Sequence, residues 1–573
     1  MDKIWLASYP AGVPHDIDPE EFSSISDMLG DTFRRCSNHA AYQSMGTTLT
    51  YAQIDRLSRN FAAWLRGLPG LKTGSRIALM MPNILQYPVS LFGALRAGLA
   101  VVNINPLYTA RELEHQLRDS GAEAIVIVEN VAHVLEKVLP NTQIRFVVTT
   151  QIGDLLTTPR RWLVNSVVKR VKKMVPAWKI RGAMSFRTVL RNGAGAKLEQ
   201  PPLGQLDIAF LQYTGGTTGL PKAAVLTHGN VIANVLQISA YGKGILEGGK
   251  DIWVTPLPLY HVFSLIVNCL VGARFGGTVL LIANPRDMRG FVRELKSSHF
   301  TVITGVNALY KRLFDTPGFS EIDFSRLKFG VNAGAPVESA VAEHWQSATG
   351  RPMVEAYGLT EATIDVTLSP LQSMHNGTAG LPVPSTEVRL LAENGGELPP
   401  GTPGEICVRG PQVMQQYWQQ PEETAKVLTS DGWLRTGDIG VMDHGGYLRV
   451  TDRMKDIIIV SGFNVYPTEV EGVIASLAGV TDCAVVGIPD AVTGEAVKAF
   501  LVCRGADLSA AAIIAHCQQN LTNYKVPKFI EFRSDLPRTS IGKVSRRELR
   551  TNPPGVYRAA ASGSLDSLGK STG

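Results

Sequence analysis

No two cysteines in this chain stand at metal-ligand spacing: Cys36, Cys269, Cys407, Cys483, Cys503 and Cys517 are scattered along it, with no CxxC. That argues against a zinc module and fits thiols that stay reduced, as in a cytosolic setting. The N-terminus, MDKIWLASYPAGVPHD, lacks an apolar run followed by a small-residue cleavage site, so no secretory signal is expected. The longest apolar stretch, VFSLIVNCLVGARFGGTVLLIA from Val262, is broken by Asn268, Arg274 and glycines. It falls short of the ~20 residues that span a bilayer, and no transmembrane helix is predicted. A strong charge of one sign is missing too: 56 basic against 50 acidic residues leave a net +6 over 573 residues. Such a small excess implies no nucleic-acid partner. No internal repeat is visible.

What is present is apolar content of 45%, ample for buried cores, in a chain longer than one core usually supports. From about residue 76 strand-like and helix-like runs alternate: RIALMMPN, ILQYPVSLFGALRAG, AVVNIN, ARELEHQLRDSG, AEAIVIVEN. Repeated units of this kind predict parallel α/β sheets covered on both faces by helices. Beyond about residue 380, STEVRLLAENGGELPPGTPGEICVRGP has the short alternating runs and Gly/Pro punctuation of an antiparallel β region. A third texture begins near residue 456 and predicts a separate, smaller α+β domain. The small, polar stretch from 551 to 573 is expected to be a disordered tail.

One loop carries chemistry on its face. YTGGTTGLPKAAVLTHGN, from Tyr213, follows a strand; its glycines free backbone N–H groups to converge on an anion, Thr214, Thr217 and Thr218 add hydroxyls, and Lys222 adds a mobile positive charge. The P-loop pattern G-x-x-x-x-G-K-S/T fails, because Leu220 and Pro221 separate the last glycine from the lysine and Ala223 follows it. Taken alone, the loop reads as a phosphate cradle or a flexible turn.

Other blocks decide. PLPLYHVFS from Pro256, VNAGAPV from Val331, YGLTEA from Tyr357, GWLRTGD from Gly432, GYLRVTDRMKDIIIVSGFNVYPTEVE from Gly446 and LPRTSIGKVSRREL from Leu536 follow the loop in order. Together they resemble the adenylate-forming ligases, the superfamily of acyl-CoA synthetases, luciferases and peptide-synthetase adenylation domains. The resemblance covers about residues 20 to 550. Within it, NPLYTARELEHQLRDSGAEAIVIVEN, NPRDM, ITGVN, GLPVPST and SGFNVYP look like the bacterial long-chain fatty-acid CoA ligases. The resemblance implies a large AMP-binding domain over 1–452, with its β region at about 380–452, a hinge at 453–456 and a mobile C-terminal domain over 457–550. It also implies a two-step reaction. Fatty acid and ATP give acyl-AMP and pyrophosphate; coenzyme A then displaces AMP.

Bringing a carboxylate to a triphosphate joins two anions, so the site must neutralise charge before any bond forms. By resemblance, Thr214, Gly215, Gly216, Thr217, Thr218, Gly219 and Lys222 hold the β- and γ-phosphates, Thr360 contacts the α-phosphate region and Glu361 ligates Mg²⁺. Tyr357 and Gly358 with Gly334, Ala335 and Pro336 flank the adenine, and Asp438 and Arg453 bond the ribose hydroxyls, an acidic acceptor being apt for a diol. Lys543 matches the lysine that bridges the attacking carboxylate and the α-phosphate, Lys455 the hinge, and Gly462 the residue that lets pantetheine pass. His261 is expected to touch the acyl or phosphate site. The nucleophilic sulfur belongs to coenzyme A, so no cysteine is required. Ala223, where many relatives have glycine, and the NAGAP run, less glycine-rich than theirs, bear on affinity or acyl preference more than on the reaction.

Burying a long acyl tail yields up to ~0.8 kcal/mol per methylene, so a tunnel would dominate binding. Leu265 and Val306 are its candidate lining. In residues 160–181, RRWLVNSVVKRVKKMVPAWKIR, apolar side chains recur at helical spacing among eight basic residues and no acid, the pattern of a helix lying on anionic lipid. That places the protein in the cytoplasm, peripheral to the inner face of the membrane; a homodimer stays open. So do three rivals: a medium-chain or aryl-acid CoA ligase, a kinase or ATPase releasing ADP, and a non-catalytic acyl-binding or membrane-interaction protein.

Overall fold

The computed structural model describes residues 3–214, 221–461, 463–490, 492–504, 508–539, 542–551 and 557–558. The chain folds as two compact units, Met1–Thr436 with Val441–Val450, and Gly437–Gly440 with Thr451–Gly573. The strands Leu434–Met442 and Leu448–Arg453 each carry residues of both units.

The larger unit holds two mainly parallel sheets, the architecture expected from alternating strand and helix patterns. In the first, nine-stranded sheet, Met353–Gly358, Phe329–Ala333, Val302–Gly305, Ile252–Thr255, Thr278–Leu281 and Ala40–Ser44 are parallel neighbours, with antiparallel strands at both edges. In the second, eight-stranded sheet, Ile208–Tyr213, Ala100–Asn103, Arg76–Met80, Ala124–Val128, Phe146–Thr150 and Met184–Ser185 are parallel. Ala223–Thr227 and Gln416–Tyr417 add antiparallel strands at its other edge. Strands such as Ala124–Val128 are buried along their whole length, which is why they read as continuous apolar runs and not as alternation. The predicted β region contains the antiparallel pair Glu387–Leu391 and Gly404–Arg409.

Local chemistry sets the element boundaries. Thr109 and Glu112 form a capping box that starts Ala110–Ser120, and Gly121, at φ 60°, ends it in the left-handed region. Thr227 and Asn230 do the same for His228–Gly242, so the strand after the candidate loop turns directly into a buried helix. The side chain of Asn230 then donates to the carbonyls of Pro411 and Val413 at 2.8 and 2.9 Å, fastening a distant segment to that helix.

The smaller unit is α+β. Its sheet runs Phe463–Val465, Ile458–Val460, Gly494–Cys503, Phe529–Phe532 and Tyr557–Arg558, with Val480–Asp490 also on Gly494–Cys503; Pro467–Ala475 and Ala510–Asn520 are its longer helices. Two expectations change here and in the larger unit. The polar tail is not wholly without structure: Thr551 closes the helix Arg546–Thr551, and Tyr557–Arg558 pairs with Phe529 and Ile530. Backbone pairing does not need an apolar sequence, which is why composition missed it. The basic segment 160–181 is not one helix. Thr158–Ser166 continues as a π-turn over Val167–Val171 and stops, with Lys173 at φ 49° and Pro176 beyond. All six cysteines are free, and no helix among the described residues is long and apolar enough to cross a membrane.

His228, first residue of its helix, is 1% exposed, and its Nδ1 accepts the Ile25 N–H at 3.2 Å. Burial pushes the imidazole down from 6.5 to about 4, so the fold holds it neutral. Its contribution is complete above the unfolded value and is lost as pH falls from 6.5 through about 4, up to about 3 kcal/mol. Acidification from pH 7 to roughly 4.5 should therefore lower the urea midpoint of the larger unit more in the native protein than in a His228→Asn variant, whose Oδ1 still accepts from Ile25.

Candidate active site

The candidate loop joins two strands that pair with each other. Ile208–Tyr213 pairs antiparallel with Ala223–Thr227, and the Thr214 N–H donates to the Lys222 carbonyl at 2.8 Å across its neck. A P-loop leads from a strand into a helix N-terminus; this loop leads into another strand, so the Walker arrangement is excluded by topology as well as by spacing. Gly215, Gly216, Thr217, Thr218 and Gly219 lie outside the described residues, as does Gly462.

At the base of the hairpin, Lys222 forms an ion pair with Glu423, in the first turn of the helix Pro421–Val427, and its Nζ lies 5.2 Å from the centre of the Tyr417 ring. The expected mobile charge is thus already partnered. Tyr417 faces the other way as well: its hydroxyl donates to Glu361 Oε1 at 2.7 Å. Lys222, just before a strand of one sheet, and Glu361, just after a strand of the other, therefore meet on one side chain. Burial first, then the Glu361 and Glu423 carboxylates, raise the ionisation of the phenol far above its usual range, so it stays a donor. The carboxylate of Glu423 is held down at about 2 by hydrogen bonds to Lys222 and Lys426.

Glu361 lies in the short helix Thr360–Ala362, next to half-buried Thr360. Tyr357 is 9% exposed at the end of its strand. Gly358 is obligatory: a Cβ there would lie 1.4 Å from the Ile364 carbonyl oxygen. Gly334, at φ 87°, Ala335 and Pro336 form an exposed turn after the neighbouring strand. Three side chains hold that turn. Asn332 donates to the Ala335 carbonyl at 3.2 Å, Asn307 donates to that of Pro336 at 2.8 Å, and buried Glu355 accepts the Val337 N–H. Burial raises the Glu355 carboxyl to about 8, and His375 Nδ1 stands 3.5 Å from it.

The carboxyl ends of four parallel strands in one sheet thus carry the segments with His261, Val306, Gly334 and Gly358. Parallel sheets bind ligands at such ends. The His261 segment is pinned from below: Asn83 donates to the Thr255 and Leu257 carbonyls, and Tyr87 and Gln212 donate to those of Leu259 and Tyr260. Half-buried His261 accepts the Phe263 N–H on Nδ1 at 3.3 Å. Leu265, fully buried in a π-helical segment Ser264–Val271, and Val306, 9% exposed, belong to one apolar core.

The smaller unit assembles the remaining residues. Arg453 Nε lies 3.0 Å from Asp438 Oδ1. The Thr539 N–H donates to the Lys543 carbonyl at 2.7 Å. Loss of solvent, chiefly, and the Arg453 guanidinium lower the half-buried Lys543 ammonium to about 8, with Asp438 opposing. Lys455 is lowered by burial and by Arg453, while Asp456 and Asp438 oppose. Asp456 in turn pairs with Arg550 at 3.0 Å.

Among the described residues no group of three or more His, Cys, Asp or Glu side chains is arranged to hold a metal. A lone carboxylate such as Glu361, beside a hydroxyl, nonetheless suits Mg²⁺, which takes most of its oxygens from phosphates and water. The residues present fit that ion.

Tyr417, Glu423 and the segment from Gln412 carried no chemical signal in the sequence. PEET reads as a helix start with acids in the first turn, which Glu423 satisfies structurally.

The AMP-binding enzyme family model matches residues 31–418, and that of the AMP-binding enzyme C-terminal domain matches 469–543. A long-chain-fatty-acid–CoA ligase of Yersinia pestis is 52% identical over 96% of this chain and 98% of its own length. One from Bacillus subtilis is 35% identical over 96% of this chain and 97% of its own. Among solved structures, ATP-bound MatB from Rhodopseudomonas palustris superposes with a TM-score of 0.79 at 28% identity, covering 92% of this chain and 98% of that one.

An amine-directed acylating reagent, followed by peptide mapping, should modify Lys543 with a pH midpoint at about 8, whereas ordinary lysines stay protonated to roughly pH 10.

Proposed function

This chain belongs to the AMP-binding enzyme family, and from that premise we infer that it is a long-chain-fatty-acid CoA ligase. It activates a fatty acid with ATP and transfers the acyl group to coenzyme A. In the first step a carboxylate oxygen bonds to the α-phosphorus and the bond to the β-phosphate oxygen breaks, releasing pyrophosphate. In the second, the thiolate of coenzyme A attacks the acyl carbon and AMP leaves.

The observation that carries the site assignment is the meeting of Lys222 and Glu361 at Tyr417. In this reading Thr214, the glycine- and threonine-rich loop and Lys222 hold the β- and γ-phosphates, Lys222 exchanging Glu423 for them. Thr360 bonds the α-phosphate. Glu361 holds Mg²⁺, which supplies charge neutralisation on the phosphates when bound. Tyr357 and the turn at Gly334 to Pro336 flank the adenine, and Asp438 and Arg453 take the ribose hydroxyls. Lys543 offsets the charge that builds as the carboxylate meets the α-phosphate, while Lys455 serves as hinge and Gly462 clears the path of the thiol. His261, Leu265 and Val306 belong to the acyl end.

The surface of 160–181 supports a lipid contact. Trp162, Leu163, Val171 and Met174 are 67, 66, 73 and 51% exposed, amid exposed Arg160, Lys169, Arg170, Lys172 and Lys173. Large apolar side chains in water beside uniformly positive charge suit the boundary of an anionic bilayer, at the inner face of the cell membrane.

Lys543→Ala should lower fatty-acid-dependent pyrophosphate release by ~10²-fold or more while sparing thioester formation from supplied acyl-AMP. Equal losses in both half-reactions would sink the assignment. A panel of short-chain, long-chain and aromatic acids in the same assay tests the acyl preference, with the long-chain acids expected to give the highest kcat/KM. The protein should also co-sediment with vesicles containing phosphatidylglycerol, less so in high salt, and Trp162→Ser with Leu163→Ser should weaken that binding without changing pyrophosphate release in detergent-dispersed substrate.

A further inference from the structure

Immediately after Glu361 the chain reverses in a way few residues allow. Thr363 has φ 63° and ψ −56°, and the Ile364 N–H donates to the Ala362 carbonyl at 2.7 Å. That is the tight three-residue γ-turn of positive φ, rare and strained, and Thr363 is β-branched, which makes the conformation still less favourable. Strain of this kind persists only where surrounding structure over-determines it.

The over-determination is visible. Thr363 is fully buried, and its hydroxyl donates to the Gln412 carbonyl at 2.7 Å. Gln412 is itself fully buried and anchored, donating to Thr386 Oγ1 at 2.7 Å and accepting from Gln237 Nε2 at 3.0 Å. On the far side of the turn, Asn234 accepts from the Asp365 N–H and donates to the Asp365 carbonyl. The reversal brings the Ile364 carbonyl against Gly358, where no Cβ fits. Two further bonds come from the segment that holds Gln412: the Met414 N–H donates to the Glu361 carbonyl at 2.7 Å, and Tyr417 donates to its carboxylate. Residues 412–417 thus grip the Thr360–Thr363 turn at three points, of which the Thr363 hydroxyl is the one that belongs to the strained residue itself.

We propose that Thr363 is a positioning residue for acyl-AMP formation: its hydroxyl locks the strained γ-turn that aims Thr360 and Glu361 at the nucleotide. This rests on the assignment of Thr360 and Glu361 above. The lock acts chiefly on the first half-reaction, because the β- and γ-phosphates leave as pyrophosphate before the thiol attacks and only the α-phosphate contact of Thr360 persists in acyl-AMP.

The test uses the full-length protein and four substitutions. Thr363→Val keeps the branched shape and removes the hydroxyl; Thr363→Gly removes the hydroxyl and accepts φ 63° without strain, so it provides a second hydroxyl-free variant free of the valine's torsional cost. Both should lower kcat/KM for ATP in pyrophosphate release by ~10- to 100-fold, weaken ATP binding measured by calorimetry with Mg²⁺, and leave thioester formation from supplied acyl-AMP within about twofold of native. Thr363→Ser, which retains the donor, should restore most of the loss. The proposal is overturned if the glycine variant makes acyl-AMP at the native rate, or if both half-reactions fall together in step with the thermal midpoint. Glu361→Gln separates the underlying assignment: if it leaves acyl-AMP formation unchanged, the role of Glu361 fails and the positioning role with it. If Glu361→Gln is impaired and Thr363→Val and Thr363→Gly are not, the positioning role alone fails.

Discussion

The hydrogen bond from Tyr417 to Glu361 is the joint on which the larger unit's site depends. A phenol is suited to it because it presents an uncharged donor at one end and an electron-rich face along its body. Glu361 receives the donor and Lys222 lies over the face, so one neutral side chain orients an anion and a cation. The strand pairing of Gln416–Tyr417 with Ala223–Thr227 places it there, through Gln416 opposite Val225 and Tyr417 opposite Ala224. A two-residue strand could not fold alone; it exists because the hairpin edge offers unpaired backbone groups.

A second constraint is charge. An enzyme that unites a carboxylate with a triphosphate must keep several cations available, yet unpaired cations cost solvation when half-buried. The protein meets this in two ways. Lys222 is held by the carboxylate of Glu423. Lys543 stands near Arg453 with its ammonium drawn down to about 8, still mainly protonated at neutral pH, so a bound anion would restore what solvent no longer supplies.

Much of the fold was legible because parallel strands buried on both faces and amphipathic helices write their periods into sequence. RIALMMPN and ARELEHQLRDSG became the strand Arg76–Met80 and the helix Ala110–Ser120, the helix with its boundaries marked by capping residues. The failures have physical causes. Residues 160–181 kept helical periodicity past the point where backbone geometry ended the helix, since apolar spacing registers neither a positive φ at Lys173 nor a π-turn. Tyr557–Arg558 pairs through backbone atoms, which composition does not report.

The chemistry divides along the same line. The loop at 213–230, the Thr360–Glu361 pair, Asp438, Arg453 and Lys543 stand in linear motifs whose order alone marks the family, because each is contiguous and its spacing is intrinsic to one turn or strand end. Tyr417, Gln412 and Thr363 act through partners dozens of residues away, by a hydroxyl, a carbonyl and a strained torsion that any sequence window leaves mute. By itself the sequence determined the family, and with it the reaction that its relatives are named for and the residues proposed to meet the nucleotide. Tertiary structure alone decided how those residues are held, because orientation is set by contacts between segments that only a folded chain brings within hydrogen-bond distance.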